Sequence, residues 1–332
     1  MNGLPRSEDD PLGEIPSATV RVAVIGGGVA GCSIAYHLGE LGWGNDTLLL
    51  EKTELATGAS AYAAGDLPQF SESPLVSRLC AESIALYRRL ETETGQPVGW
   101  HNTGGLRLAH TSDQMRDDAR HIGRAAHLGI TMKLVDRKTT GELCPLLNLD
   151  GVLGAIWTPD DGHIDPASVI MAFATAARAR GVRIMRGTKV LAVNRNSRKG
   201  AWIIRTDQGT IEAEIVVNAA AYGAFEVSAL AGHDLPMTLH EHQYILTEAI
   251  PEIATLTRPI AQLRDMGAPF YARQDGQGLL CSAYEATPVF RDPATLPEEA
   301  LAPDLDRSLD VLERCMARLP ALRGAGQLLT QP

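Results

Sequence analysis

The sequence predicts an α/β protein with an added α+β part. Three patterns carry this reading: a strand, helix, strand succession between Arg21 and Lys52, a set of short strands between turn signals from Val182 to Ala221, and longer alternating strands beyond Pro236. At 332 residues the chain exceeds one compact core, so two intimately connected domains are expected.

The elements follow in order. The β-branched run Arg21–Ile25 reads as a buried strand, and Val29–Leu41 carries apolar residues at helical spacing up to Gly42. "TLLLEK" is the second strand, so residues 21–52 form one βαβ unit. Pro74 opens a helix to about Thr94, with Leu75, Leu79, Ile84, Leu86 and Leu90 as its apolar side. The short strand "GGLRLAH" precedes a helix from Ser112 to about Leu128, and Asp165 caps a helix from Pro166 to about Ala179. "VRIMRGTKVLAVNRN", "AWIIRTD" and "GTIEAEIVVNAAA" form a β-meander with turns at Ser197–Gly200 and Gln208–Gly209. "MTLHEHQYILTEA", "APFYARQ" and "GLLCSAYEA" then read as strands of an antiparallel sheet. A last helix runs from about Asp304 to Leu319.

Composition narrows the function. Hydrophobic residues at 45% and charged residues at 21% describe an ordinary globular protein. A net charge of -10 without a Lys/Arg cluster disfavours nucleic acid as a partner. The five cysteines, Cys32, Cys80, Cys144, Cys281 and Cys315, have no CxxC spacing, so they read as buried, reduced thiols. The N-terminal stretch lacks an apolar h-region and an Arg-rich amphipathic pattern, and no apolar run reaches membrane-spanning length, so the expectation is a cytoplasmic protein with a disordered leader over 1–19 and no membrane partner.

The first βαβ unit carries the most specific motif. In "GGGVAG", Gly26, Gly28 and Gly31 fill G-x-G-x-x-G between a strand and a helix. The three serve a tight turn, close backbone approach to a pyrophosphate, and close packing of helix on strand. The helix start at Val29 and Ala30 offers amides and a positive dipole end for phosphate. Glu51, 20 residues beyond Gly31 and followed by Lys52, stands where a carboxylate accepts hydrogen bonds from ribose hydroxyls, and it would repel a 2′-phosphate. This is a Rossmann-like dinucleotide fingerprint, shared by FAD and NAD.

"VAVIGGGVAGCSIAYHLGELGW", "LLLEKTELATGASAYAAG", "DGHIDPASVIMAFATAARARGVRI", "VVNAAAYGAFEVSALAG" and "HEHQYILTEAIP" resemble the FAD-binding half of dimethylglycine and sarcosine dehydrogenases, within the D-amino-acid-oxidase-like superfamily. The resemblance runs from about Val20 to Leu322 and implies FAD. It implies FAD contacts along the loop after the second strand, at Thr57, Gly58, Ser60, Ala63, Ala64 and Gly65. Val190 resembles the position whose backbone meets the adenine, and Ala220, in "NAAAYG", lies in the returning segment beneath the cofactor or at a buried strand end.

Three departures stand out. Tyr62 occupies the place of the histidine that such enzymes bond to their flavin, so FAD is expected to be non-covalent. Ala221 and Gly223 stand where a glycine and then an aromatic are common, an exchange tolerable where φ is negative, and Ser282 and Ala283 stand where glycines are usual. The sequence ends before the segment that in the family returns to close over the flavin, and before a folate-binding half, so weak FAD binding and low turnover are expected of residues 1–332 alone.

The amine side of the site is expected on "HEHQYIL", where period-two alternation puts His240, His242 and Tyr244 on one face. The resemblance implies that Tyr244 lies over the substrate side of the flavin, making it the first catalytic candidate and His242 the second. The alternative is a partly exposed strand face, and two histidines without a third ligand do not make a metal site. Arg273 could pair with a substrate carboxylate through its planar fork, against the plainer reading of an exposed surface arginine.

The sequence reading is therefore an FAD-binding domain from 20–100 and 151–235 interleaved with a substrate domain from 101–150 and 236–320, with a tail over 321–332. The expected function is FAD-dependent oxidation of a small N-methylated amino acid, with an electron-transfer flavoprotein or oxygen as acceptor. The alternatives are a non-catalytic flavoprotein-like remnant and an NAD-dependent dehydrogenase.

Overall fold

The computed structural model describes residues 18–196, 200–283, 287, 289–295 and 301–331. The expected leader up to residue 17, positions 197–199 of the first meander turn, and the end of "GLLCSAYEA" at 284–286 lie outside the described residues. Two compact units emerge, one from Met1–Ala59 with Phe173–Met237, the other from Ser60–Ala172 with Thr238–Pro332. Residues 60–100 and 151–172, grouped by sequence with the glycine motif, fall in the second unit.

The first unit is built on a six-stranded sheet in the order Arg183–Met185, Thr47–Leu50, Ala18–Ile25, Thr210–Asn218, Trp202–Thr206, Val190–Arg195. The first four are mutually parallel and the last two antiparallel, which is the βαβ core with the meander attached. Parallel strands are buried on both faces, and Val22–Ile25 and Thr47–Leu50 are buried at every position. The run "VRIMRGTKVLAVNRN" divides: its first part pairs with Thr47–Leu50 and its second forms the outer meander strand. The helix Val29–Glu40 buries Gly31, Cys32, Ala35, Tyr36 and Gly39. Val20, Ile25, Leu48, Val193 and Ile204 join one core cluster, so meander and βαβ strands share it.

The second unit holds an eight-stranded sheet in the order Gln327–Gln331, Tyr244–Thr247, Gly278–Ala283, Phe270–Asp275, Gln262–Asp265, Gly105–Ala109, Gly154–Thr158, Lys133–Asp136. The expected antiparallel character holds except where Gln262–Asp265 runs parallel to Gly105–Ala109. The helix Leu305–Arg318 is capped by Asp304, which accepts from the amides of Asp306 and Arg307 at 3.1 Å, and it sends Val311 and Cys315 into the core with Ile245, Leu263, Phe270 and Cys281. Asp165 caps the helix Pro166–Ala179 by accepting from Ser168 N at 2.6 Å.

Three expectations are corrected here. The helix Pro74–Thr94 has the expected ends, but Leu75 and Leu79 are 67% and 56% exposed while Ile84 and Leu90 are buried. Its inward stripe is therefore carried by its middle and end, with Ser77 buried in its first turns. "MTLHEHQYILTEA" is not one strand: Leu239–Glu241 pairs with Val289–Arg291 in a small sheet, and Tyr244–Thr247 joins the large one. The break has a physical cause at Gln243. Its amide is buried and donates to the Asp304 carbonyl at 2.9 Å and to Ser308 Oγ at 3.3 Å, a reach that regular pleating would deny it. Of the cysteines, Cys32, Cys144, Cys281 and Cys315 are buried as expected, Cys80 is half-buried, and all five are free.

Candidate functional site

In the first unit the glycine turn is shaped by backbone contact. Gly26 has φ +117, and a Cβ there would strike the Ala219 carbonyl; a Cβ on Gly31 would strike the carbonyl of Gly26. The third glycine of the motif thus serves helix packing, as its spacing predicted. Gly28 is the N-cap of the Val29–Glu40 helix and offers no side chain to that helix start, and Val29 and Ala30 are exposed beside it. Glu51 lies against the turn: Oε2 accepts from Gly27 N at 2.7 Å, while Oε1 accepts from Thr53 N and Thr53 Oγ1 at 2.9 and 3.0 Å. Lys52 is exposed. Thr57 bonds Thr53 Oγ1 at 2.9 Å, and a Cβ on Gly58 would lie 3.7 Å from the Tyr222 hydroxyl. Val190 is buried two residues beyond Thr188, whose amide donates to the Glu51 carbonyl. Ala220 adjoins the turn, its Cα 3.0 Å from a Cβ placed on Gly26. The unit therefore brings Gly26, Gly28, Val29, Ala30, Gly31, Glu51, Thr57, Gly58, Val190 and Ala220 into one neighbourhood.

Ala221 corrects the expectation about its backbone. Its φ is +51, in the left-handed region, so alanine stands where glycine would be unstrained. Asn218 braces this turn, donating through Nδ2 to the Ala224 carbonyl at 2.8 Å and accepting from Ala220 N at 3.3 Å.

The second unit carries the other half of the loop. Ser60 and half-buried Tyr62 lie in a single 3-10 turn, followed by Ala63, Ala64 and Gly65, whose φ is +76. Arg273 is buried, not an exposed surface arginine, and its fork is engaged within the chain. Nε donates to the Ala64 carbonyl at 2.9 Å, Nη1 donates to Asp275 Oδ1 at 2.7 Å, and Asp66 Oδ1 lies 3.6 Å from Nε. Arg273 thus anchors the Ala64–Asp66 segment.

Tyr244 pairs across the sheet with Ser282, which in turn pairs with Tyr271. Burial, above all, pushes the Tyr244 hydroxyl up from its ordinary pKa, so it stays protonated. His242 sits in the break before that strand, with Nε2 3.2 Å from Ser282 Oγ and its ring stacked 6.4 Å from Tyr271. Ser282 donates to the Gln243 carbonyl at 2.7 Å, so the serine that stands in place of a glycine holds the break together. His240 is separated from this group; it lies in the small sheet, stacked on Phe290. The expected single face of His240, His242 and Tyr244 is therefore reduced to His242 and Tyr244, with Ser282 and Tyr271 added.

The FAD dependent oxidoreductase (DAO) family model matches residues 21–330. The chain belongs to that family. Rat (Rattus norvegicus) mitochondrial dimethylglycine dehydrogenase is 37% identical over 311 residues, covering 91% of this chain and 36% of that protein. Mouse (Mus musculus) mitochondrial sarcosine dehydrogenase is 33% identical over 293 residues, 86% of this chain and 31% of the relative. The chain thus spans about a third of the length of these curated relatives. The crystal structure of L-proline dehydrogenase from P. horikoshii shares the fold, with a TM-score of 0.83 at 23% identity over 95% of this chain and 81% of that one.

The first unit fits the cofactor named by its family. A helix N-terminus whose cap is a bare glycine leaves backbone amides for a pyrophosphate. The Glu51 carboxylate, held beside that turn by Gly27 and Thr53, is placed for ribose hydroxyls.

Sequence reasoning missed a buried polar group in the second unit. His163 is held on two sides by backbone bonds to His101, stacks on its ring at 4.8 Å, and has a buried Nδ1 without a hydrogen-bond partner among the described residues. Burial first, then the Arg273 charge and His101, pushes its pKa down to about 3, so the ring is neutral. Burial also lifts the Asp66 carboxyl against the pull of Arg273 and Arg264. Asp161 is lifted to about 7, by burial first, with the Gln69 amide and Arg264 opposing and Asp160 and Asp66 adding to it. "DGHIDP" lies in a segment that carries the family resemblance, yet nothing in its spacing marks Asp161 and His163 as buried.

Proposed function

We propose that the chain is the flavin-binding and substrate portion of an oxidoreductase that demethylates a small N-methylated amino acid of the sarcosine or dimethylglycine type. The observation that carries this reading is the intact glycine turn with its Glu51 contact, in a chain 37% identical to a dimethylglycine dehydrogenase. When bound, FAD would supply the acceptor for one hydride, that is two electrons and a proton, from the N-methyl carbon. Water then adds to the resulting iminium carbon, releasing formaldehyde and the amine with one methyl fewer.

This chain's residues contribute position and polarity. Tyr244, kept protonated by burial, offers a hydroxyl donor, and His242 is oriented by Ser282 beside it. Arg273 acts as a positioning residue, since it fixes the backbone that follows Tyr62 through the Ala64 carbonyl. The Tyr62 phenol lacks the imidazole nitrogen used for a covalent link, so FAD is held non-covalently. The electron acceptor is an electron-transfer flavoprotein or oxygen.

The test is a visible spectrum of the purified protein before and after acid precipitation, with formaldehyde release measured from sarcosine and dimethylglycine. Flavin in the acid supernatant together with formaldehyde supports the proposal. A protein that takes up FAD but releases no formaldehyde from either compound would refute the substrate class.

A further inference from the structure

The second unit carries a half-open cavity of about 80 Å³, between the segment around Phe70 and the strands Gly105–Ala109, Gly154–Thr158 and Gln262–Asp265. Two opposite charges line it, Arg264 and Asp161, and neither is matched by the other. Among the described residues the Arg264 side chain makes no hydrogen bond and has no carboxylate within ion-pair distance, although it lies close enough to act on the Asp161 charge. A third charge in the wall, Arg107, is answered by Asp118 and by His121 Nδ1, so Arg264 differs from it in having its fork unfilled.

Asp161 is buried, and only one of its oxygens is used: Oδ1 accepts from Gln69 N at 2.8 Å. Oδ2 has no hydrogen bond among the described residues, and Gly105 leaves it room, since a Cβ there would lie 2.5 Å away. A half-buried guanidinium without an ion-pair partner among the described residues and a buried carboxylate with a spare oxygen line one cavity, and both have hydrogen-bonding capacity left for a ligand. A ligand carrying a carboxylate at one end and an ammonium at the other supplies both.

We propose that this cavity binds a small amino-acid zwitterion, with Arg264 taking its carboxylate and Asp161 Oδ2 its ammonium. The proposal rests on the N-methyl amino acid reading above and names the residues that recognise that substrate class. The space is small, room for about three waters at about 30 Å³ each, and half-open, so it takes the charged groups of a small ligand while the rest extends through the open side. Phe70, Met132 and Ile156 form an apolar part of the wall against which N-methyl groups would pack.

Isothermal titration calorimetry with dimethylglycine, and in parallel with N,N-dimethylethylamine, which lacks the carboxylate, tests this. Arg264→Gln is expected to weaken dimethylglycine on the order of 30-fold and to leave dimethylethylamine unchanged, which also shows that the variant is folded. Arg264→Lys recovers part of the loss, since it keeps the charge but not the planar fork. Asp161→Asn weakens both ligands. If wild-type protein binds dimethylglycine and Arg264→Gln binds it equally well, the inference falls while the oxidoreductase reading stands. If wild-type protein binds neither compound and releases no formaldehyde from N-methyl amino acids, the reading of the substrate class falls and takes the inference with it.

Discussion

Ala221→Gly should stabilise the protein, although glycine usually does the opposite. Ala221 is exposed, so removing its methyl group sacrifices no packing. Its φ of +51 places Cβ against the neighbouring backbone, a conformation that costs an L-residue about 1–2 kcal/mol. Glycine relieves this but gives back about 0.4–1 kcal/mol through the greater freedom of the unfolded chain. The net expectation is a gain of about 0.5–1 kcal/mol, or a rise in Tm of about 1–2 °C in a chain this long. Gly223 provides the reciprocal control. Its φ is -78, and a Cβ there would meet only Ala220 Cβ at 3.8 Å, so Gly223→Ala should also stabilise, by about 0.4–1 kcal/mol. Urea denaturation of the wild type, both single variants and the double variant measures these differences, with flavin content recorded for each. A loss of stability in Ala221→Gly equal to the glycine entropy alone would refute the strain. Loss of flavin in that variant would show instead that the left-handed turn, not its residue type, was misjudged.

Gly28→Val should abolish FAD binding yet leave the unit folded, because Gly28 has φ -80 and an extended ψ that valine can adopt; Gly31→Val, whose Cβ meets the Gly26 carbonyl, should fail to fold. An unchanged flavin-to-protein ratio in a soluble Gly28→Val variant overturns the first half. Tyr62→His should not create a covalent flavin, since such a bond also needs the ring held against the flavin's 8-methyl group; flavin retained by acid-denatured protein would show the reverse. Asp161→Asn should become more stable relative to wild type as pH rises. The folded carboxyl sits at about 7 against 3.8, so its stabilising protonation is complete below about 4 and lost as pH rises through about 7, worth up to about 4 kcal/mol. His163, pushed down to about 3, titrates in both proteins and cancels in the difference. A variant minus wild-type difference that stays flat between about pH 4 and 8 contradicts the raised Asp161.

What the sequence disclosed, and what it withheld, divides by the range of the interaction responsible. The glycine turn, its acid and the helix cap at Asp165 were legible because each is decided within a few residues, by backbone geometry or a side chain reaching its own helix. Glu51 lies farther along the chain, but a strand and a helix of standard length bring it back to Gly27. The break at Gln243 could not be read, because "HEHQYIL" alternates without interruption and the cause is an amide bound to Asp304 and Ser308, more than sixty residues away. Arg273 was misplaced for the same reason. Its partners on its own strand are visible in sequence, but the Ala64 carbonyl that makes it a buried anchor is 209 positions distant.

The cavity lies at the far end of this scale. Phe70, Arg107, Asp161 and Arg264 come from four separated segments, and each alone is an unremarkable residue on a strand or in a loop. Only their assembly shows that Arg107 is answered by Asp118 while Arg264 has no such partner among the described residues. That difference, between two arginines in one wall with different partners, carries the substrate-recognition proposal. It follows that exchanging the roles should be possible: Asp118→Asn should free Arg107 and add a second cation to the cavity, tightening dimethylglycine binding severalfold while leaving N,N-dimethylethylamine no better bound. If Asp118→Asn instead weakens both ligands equally, Asp118 serves the shape of the wall, and the charge of Arg107 contributes nothing to recognition.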